Sequence, residues 1–479
     1  MMNKVLLKYN NMSRPLKASL WFMISSVINK GIAFLTTPLF TRVLTKEEYG
    51  VVGLYSTWVV MLTIVITLSL ATGVFNKAMI KYEDDKDGYT SSILILITIL
   101  VSFFGLVYFV FQPFLNRLIG LPPVIIFMMF FEVLATTSWD LFSIRKRFEY
   151  EYRTIIITTV VVNAIATLLS YLLVKQFPEH RAEARVAGLV ITHTVIYSFF
   201  YFLIIYRGKT LFNREYWQYS LKFNLPLIPH YLSQQVLNQS DRIMIGNICG
   251  KGDAGIYSLA YQVAVAMQLI TNAVHVIFMP WCFQCLKEKN TKQIGKRAFQ
   301  IELLIGFMCM TFSLFAPEFV QILGGDSYYS AIYIIPPVAM SVVFLTMYSF
   351  FGNIEFYFEK TKTVMIASVI VAVSNILLNA AFIPIYGFVA AGYTTLFCYI
   401  VFAALHYYFM KNICKKNKVD NPFNGKRMWT LAMVLAIISI VITIVYNYTV
   451  VRLVLAFTLL IVILLFVLVN KNTLLYGNK

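Results

Sequence analysis

Residues 38–51 read PLFTRVLTKEEYGV, and residues 239–256 read QSDRIMIGNICGKGDAGI. Arg42 and Arg242 align directly, and a five-residue insertion in the second copy brings Gly50 onto Gly255. At the unshifted offset Lys30 falls on His230. Charged and glycine positions recur along with the apolar ones, which chance similarity between two apolar segments does not require. Each copy closes one long apolar stretch and opens the next. Six such stretches separate the copies, and an even number returns the chain to the same side of a bilayer. The copies therefore read as parallel repeats related by an axis along the membrane normal.

Working outward, the 479-residue chain is 59% hydrophobic and only 13% charged, with mean hydropathy +0.73. No single soluble core absorbs that much apolar surface, and the same figures exclude disorder and disulfide scaffolds. A membrane-crossing helix takes about 20 apolar residues. Fourteen stretches qualify: 18–41, 51–74, 91–112, 122–143, 155–175, 187–206, 221–245, 256–280, 299–317, 329–354, 363–383, 387–410, 428–447 and 451–470. The expected fold is an all-α integral membrane protein of fourteen transmembrane helices. Helices 1–6 form an N-lobe over residues 1–210, helices 7–12 a C-lobe over 211–412, and helices 13–14 an appendix over 413–479.

The net charge of +18 does not imply nucleic acid, because the 40 basic residues lie in short runs between apolar stretches. With the N-terminus inside, 30 of them fall on inner segments, nine on outer ones, and Lys30 within a span. A missed or invented helix would invert every later loop, so this alternation supports the helix count and cytoplasmic termini. The first apolar run lacks a small-residue cleavage site and reads as a retained helix.

An ionisable group within a span costs about 2.5–3.5 kcal/mol on insertion scales and tends to face a cavity or a partner. Lys30 is the deepest, about 18 Å along helix 1 from Arg42. Its spacing fits either a cation in a hydrated cavity or a partner for an acid such as Glu132. Pro226 and Pro229 break helix 7, as happens where backbone lines protein or water. Beyond the break, Tyr231, Gln235, Asn238 and Arg242 share a stripe, with His230 beside it. Helix 8 repeats the theme with Tyr257, Tyr261, Gln268, Asn272 and His275. Such stripes face a polar cavity or a neighbouring helix. Glu132, Asp140, Asp241, Glu302 and Glu355 are candidates for coupling or ion pairing.

Several motifs carry no chemistry. Gly250-Lys-Gly252-Asp-Ala-Gly255 satisfies a dinucleotide fingerprint, but that requires a preceding strand, and here a membrane helix precedes it. Cys282 and Cys285 have half a metal-site spacing with no second half. No catalytic residue, metal or cofactor is expected.

The run Leu225-Pro-Leu-Ile-Pro229-His, then Ser240-Asp-Arg242-Ile-Met-Ile-Gly246, then Ala254-Gly-Ile-Tyr257-Ser-Leu-Ala-Tyr261 resembles the signature region of the bacterial polysaccharide flippases. These belong to the multidrug/oligosaccharidyl-lipid/polysaccharide exporter superfamily, and Glu48-Tyr-Gly50 fits the same pattern. The resemblance implies two six-helix lobes around a central cavity, alternating access in the plasma membrane, and a polyprenyl-pyrophosphate-linked oligosaccharide as cargo. Lys30, Arg42, His230 and Arg242 would then attract the pyrophosphate. The expected partners are the lipid-linked substrate, the bilayer and polysaccharide polymerase machinery, without nucleic acid, and the chain is expected to act as a monomer. Two rivals stand beside this reading: a cation-coupled multidrug exporter of the same superfamily, and a membrane polysaccharide polymerase or glycosyltransferase. The short outer loops count against the second.

Overall fold

The computed structural model describes residues 14–149 and 151–475; the side chain of Lys30 lies outside the described residues. Fourteen long helices occur among them: α1 Arg14–Thr41, α2 Lys46–Thr67, α3 Lys86–Val110, α4 Pro123–Phe148, α5 Arg153–Gln176, α6 Arg181–Gly208, α7 Ile228–Ile248, α8 Lys251–Lys287, α9 Thr291–Leu314, α10 Ile335–Tyr357, α11 Thr361–Tyr386, α12 Val389–Lys416, α13 Gly425–Val441 and α14 Thr449–Leu475. Among the described residues twelve have the length and hydropathy to cross a membrane; α1 adds the shorter apolar helix Gly31–Thr41, several of its earlier side chains lying outside the described residues, and α7 is the remaining one. Helices α1 and α7 are the first of the two repeats, and α7 carries the polar stripe that lowers its hydropathy.

The chain divides into two compact units, residues 1–235 and 236–479. The division falls inside α7, beyond its proline-rich start. Both units follow one plan. The third helix of each (α3, α9) leads into an eight-residue amphipathic helix, Gln112–Ile119 or Ala316–Leu323, before the fourth. Each short helix has proline at its second residue, where the missing N–H has no intrahelical acceptor, and a glycine just past its end.

In the first unit, Thr45 and Glu48 close the α1–α2 turn as a reciprocal capping box: the Glu48 N–H donates to Thr45 Oγ1 at 3.2 Å and the Thr45 N–H to Glu48 Oε2 at 2.7 Å. Helix α2 stops where Leu68 and Ser69 adopt left-handed φ values of 51° and 52°. The Asn224 amide satisfies the carbonyls freed there, donating to Leu68 O at 3.0 Å and Ser69 O at 2.7 Å. Asn224 ends the amphipathic helix Arg214–Asn224, and a 3₁₀ turn at Leu225–Leu227 joins it to α7, so Pro226 and Pro229 break the helix as their chemistry requires. Gly73 permits the close approach: a Cβ there would lie 2.5 Å from Asn224 Oδ1 and 2.7 Å from the Tyr231 hydroxyl.

In the second unit, α13 and α14 dock on α9. Ser313 meets Ser439 at 3.1 Å, the Tyr446 hydroxyl donates to Ser313 O at 2.8 Å, and Arg452 donates to Leu314 O at 2.7 Å. Arg452 also pairs with Glu318 of the Ala316–Leu323 helix, one bond measuring 2.6 Å. The last two helices are therefore tied by buried polar contacts to the body of their unit. Their outward faces carry large exposed apolar side chains such as Val450, Val454, Phe457 and Ile461, the surface a hydrocarbon solvent wets.

Candidate functional site

The densest polar construction at membrane depth is centred on Asp241 of α7, which is 1% exposed. Its carboxylate accepts three side-chain hydrogen bonds, each at 2.6 Å: from the Tyr257 hydroxyl of α8, from Thr395 Oγ1 of α12 and from the Asn379 amide of α11. A second layer holds this one. Asn379 also reaches Asn375 Oδ1 at 3.2 Å, Ser240 Oγ donates to the same oxygen at 2.8 Å, and Thr394 Oγ1 donates to Asn379 Oδ1. The chain brings these donors together because Asn375 and Asn379 stand one turn apart on α11, and Thr394 and Thr395 lie opposite them on α12. Three donors converging on one carboxylate make Asp241 the acceptor at the centre of this network. One carboxylate with amide and hydroxyl oxygens around it is also the hard donor set of a small cation, and Asp241, Asn375, Asn379, Thr394 and Thr395 are the residues able to hold one.

The rest of the predicted α7–α8 stripes divides between packing and an open face. Tyr257 is fully buried on Asp241, and Tyr261 is buried beneath Arg242, whose guanidinium stands 4.8 Å from the ring centroid. Arg242 also donates to Gln239 Oε1 at 3.2 Å. Asn238 Oδ1 accepts from the Tyr399 hydroxyl at 2.7 Å. Asn272 and His275 line a cavity of about 180 Å³ between α8 and α10 with Thr271, Thr346, Tyr348 and Ser349. His275 Nε2 lies 3.2 Å from Asn353 Oδ1. Gln268 is half-buried one turn away, its carbonyl accepting from Thr271 Oγ1 at 3.0 Å. A larger groove of about 680 Å³ runs between α11 and α12, with Leu378, Phe382, Tyr386 and Phe397 on its walls and Thr394 at its base.

Within the first unit, Arg42 is exposed in the turn after α1, while Lys30 is placed on that helix by its backbone alone. Tyr231 and Gln235 are half-buried on the first turns of α7, and His230 Nδ1 is buried there without a protein partner. Glu132 pairs with His193 of α6, Nδ1 to Oε1 at 2.7 Å. Asp140 lies two turns further along α4, half-buried.

The second unit contains a counterpart. Glu355 of α10 meets His406 Nδ1 of α12 at 2.5 Å and accepts from Thr363 Oγ1 at 2.5 Å. Glu302 is fully buried on α9, and neither of its oxygens has a protein partner. The sequence reading missed His193, His406, Asn375, Asn379, Thr394 and Thr395. The Asn375/Asn379 spacing was the one visible signal: two amides one turn apart in a lipid-facing stretch need a polar neighbour.

Gly250, with φ 108°, is the turn between α7 and α8, and Gly252 and Gly255 are helical, so the glycine-rich run forms no dinucleotide loop. All six cysteines are free thiols.

A family model described as polysaccharide biosynthesis protein matches residues 16–286. A product of the Lsg locus of Haemophilus influenzae is 25% identical over 383 residues, covering 74% of this chain and 88% of the relative. The succinoglycan biosynthesis transport protein ExoT of Rhizobium meliloti is 22% identical over 280 residues, 57% of this chain and 54% of that one. Among solved structures, the lipid II flippase MurJ in an inward closed conformation superposes with TM-score 0.69 at 13% identity, covering 95% of this chain and 99% of MurJ. An inward-facing multidrug resistance MATE transporter gives TM-score 0.62 at 15% identity over 83% of this chain and 96% of that one. At these identities the two structures speak to the fold alone: a multi-pass, all-helical architecture.

Proposed function

The chain belongs to the polysaccharide biosynthesis protein family, and from that premise we propose that it is a flippase for polyprenyl-pyrophosphate-linked oligosaccharide, working by alternating access in the plasma membrane with both termini cytoplasmic. The observation that carries this reading is the reach of the family match over residues 16–286, which takes in both copies of the repeat and the polar stripes of α7 and α8. The physical need is clear. Each sugar hydroxyl taken into hydrocarbon without a partner costs about 2–7 kcal/mol, so a glycan requires polar side chains along its path. The Asn272 and His275 face supplies some of them. Lys30, Arg42, His230 and Arg242 are proposed to receive the pyrophosphate, and the repeats 1–210 and 211–412 to act as the two arms, with 413–479 carried by the second. Export of two negative charges across the full membrane potential gains about 4.6 kcal/mol per 100 mV.

The test is a proteoliposome loaded with a fluorescent polyprenyl-pyrophosphate oligosaccharide, read by protection from a membrane-impermeant lectin. Transfer that depends on the protein, and falls with Lys30→Ala, supports the flippase. A second reading, a cation-coupled multidrug exporter, is favoured by the superposition on the MATE transporter and by the buried carboxylate of Asp241. The same liposomes moving a cationic dye but leaving the glycolipid in place would establish that reading instead.

A further inference from the structure

The fourth and sixth long helices of each unit are joined by the same chemistry, a carboxylate from one and an imidazole from the other. In the first unit these are Glu132 on α4 and His193 on α6; in the second, Glu355 on α10 and His406 on α12. The two pairs differ in how they are enclosed. Glu355 and His406 are both 0% exposed, both Glu355 oxygens are engaged, and the imidazole lies between Tyr348 and Phe402 at centroid distances of 4.5 and 4.7 Å. The first pair is looser. His193 keeps 14% of its side-chain surface open, and Glu132 Oε2 is buried with no protein partner. Around it stand Tyr55 of α2, whose hydroxyl is buried without a partner, Tyr197 stacked on the imidazole at 5.1 Å, and Asp140 two turns along α4. Arg185, two turns toward the start of α6, interacts with Tyr55 and has its charge spread against the Phe40 ring and Ser170.

We propose that Glu132 and His193 form a proton-binding site, loaded and unloaded one proton at a time, and that this proton is the coupling ion of the transporter. The claim rests on the transport reading above for its use, but not for the site itself. A carboxylate–imidazole pair is neutral overall when it holds one proton and carries a charge of −1 when stripped. At membrane depth an uncompensated charge is expensive, so the pair and its surroundings must change together when the proton leaves. The unpaired Glu132 oxygen and the idle Tyr55 hydroxyl are groups to which the proton or a water can pass, and the open edge of His193 gives the route. The pair also ties α4 to α6, so loading it alters the attachment between two helices that pack along their length. In the second unit the same tie is fully buried, with His406 Nε2 its one atom without a partner, and serves as a fixed strut. Two pairs of one chemistry, one accessible and one closed, thus divide exchange from anchorage between the units.

The experiment uses the full-length protein in nanodiscs with isotope-labelled histidine. Five histidines are present, and the His193 signal is identified by its loss in His193→Gln. The expected result is that the His193 ring changes protonation form as the pH of the bath is varied, and that Glu132→Gln displaces the point at which it does so. Glu132→Asp, which keeps the charge, serves as the second variant if the amide fails to insert. In the proteoliposome assay, His193→Gln should lose the response of glycolipid transfer to an imposed pH gradient. A His193 ring that holds one form throughout, or that ignores both Glu132 variants, overturns the site. A titrating ring in a protein that moves no glycolipid leaves the site standing and overturns the flippase reading. Glycolipid transfer whose pH response survives His193→Gln overturns the coupling role.

Discussion

Removing the carboxylate of Asp241 should destabilise the second unit more than any single substitution of its neighbours. Three buried donors, from Tyr257, Thr395 and Asn379, converge on it at 2.6 Å each. Asp241→Ala leaves all three without an acceptor, and a stranded buried donor costs about 1–3 kcal/mol, so the total is about 3–9 kcal/mol before relaxation. For a unit of 150–250 residues, 1 kcal/mol corresponds to about 2–4 °C in Tm, which puts the fall at about 6 °C or more. Asp241→Asn should fall less, because one carbonyl oxygen remains for Asn379 while the rotatable Tyr257 and Thr395 hydroxyls turn to accept from the new amide. Thr395→Val deletes one of the three bonds and should cost about 0.5–1.5 kcal/mol. The assay is thermal unfolding in detergent followed with a thiol-reactive dye, since all six cysteines are free and five are buried. An Asp241→Ala protein melting within about 2 °C of wild type, no more than the smallest cost of a single stranded donor, would refute the reasoning. So would an Asn variant weaker than the Ala variant.

Gly73→Ala should displace Asn224 from the broken end of α2, since the new Cβ would stand 2.5 Å from Asn224 Oδ1; a loss of about 1–3 kcal/mol is expected, read by the same dye. Burial raises the Glu318 carboxyl, but its bonds to Arg452 outweigh this and hold it below its ordinary 4.5. A depressed acid stabilises above its unfolded value and loses that contribution as pH falls through the folded one. Docking of α14 should therefore loosen below about pH 4.5, seen as acid-dependent proteolysis near Thr449 that Glu318→Gln makes independent of pH. Lys30→Ala should lower surface glycan while membrane levels hold, and Lys30→Arg should keep part of it; full export by the Ala variant would end the pyrophosphate assignment. Cysteines placed in segments 145–153 and 411–427 should label only from the cytoplasmic side, and labelling from outside intact cells would invert the topology.

The sequence alone determined what depends on one stretch of chain at a time. Twenty apolar residues must become a helix in lipid because the backbone has no other way to satisfy its polar groups, so all fourteen helices were legible, α1 from the stretch 18–41 and α7 from 221–245 among them. The break at Leu225–Leu227 was legible for the same local reason, since Pro226 and Pro229 lack the N–H groups a continuous helix needs. The glycine-rich run Gly250–Gly255 could be set aside because the helix before it is a local fact too. Partnership is not local. The i, i+4 spacing of Asn238 and Arg242 fixed their shared face, but Tyr399 meets one and Tyr261 the other only because of how α12 and α8 pack there. His193 and His406 each stand alone in an apolar helix with no signal in their neighbours, and only packing sets them against Glu132 and Glu355, 61 and 51 residues away. Asp241 and Thr395 are 154 residues apart. Helical periodicity orients a side chain about its own axis, whereas the choice of facing helix comes from the packing of whole surfaces, and in this protein that choice set Glu132, Asp241 and Glu355 against their partners.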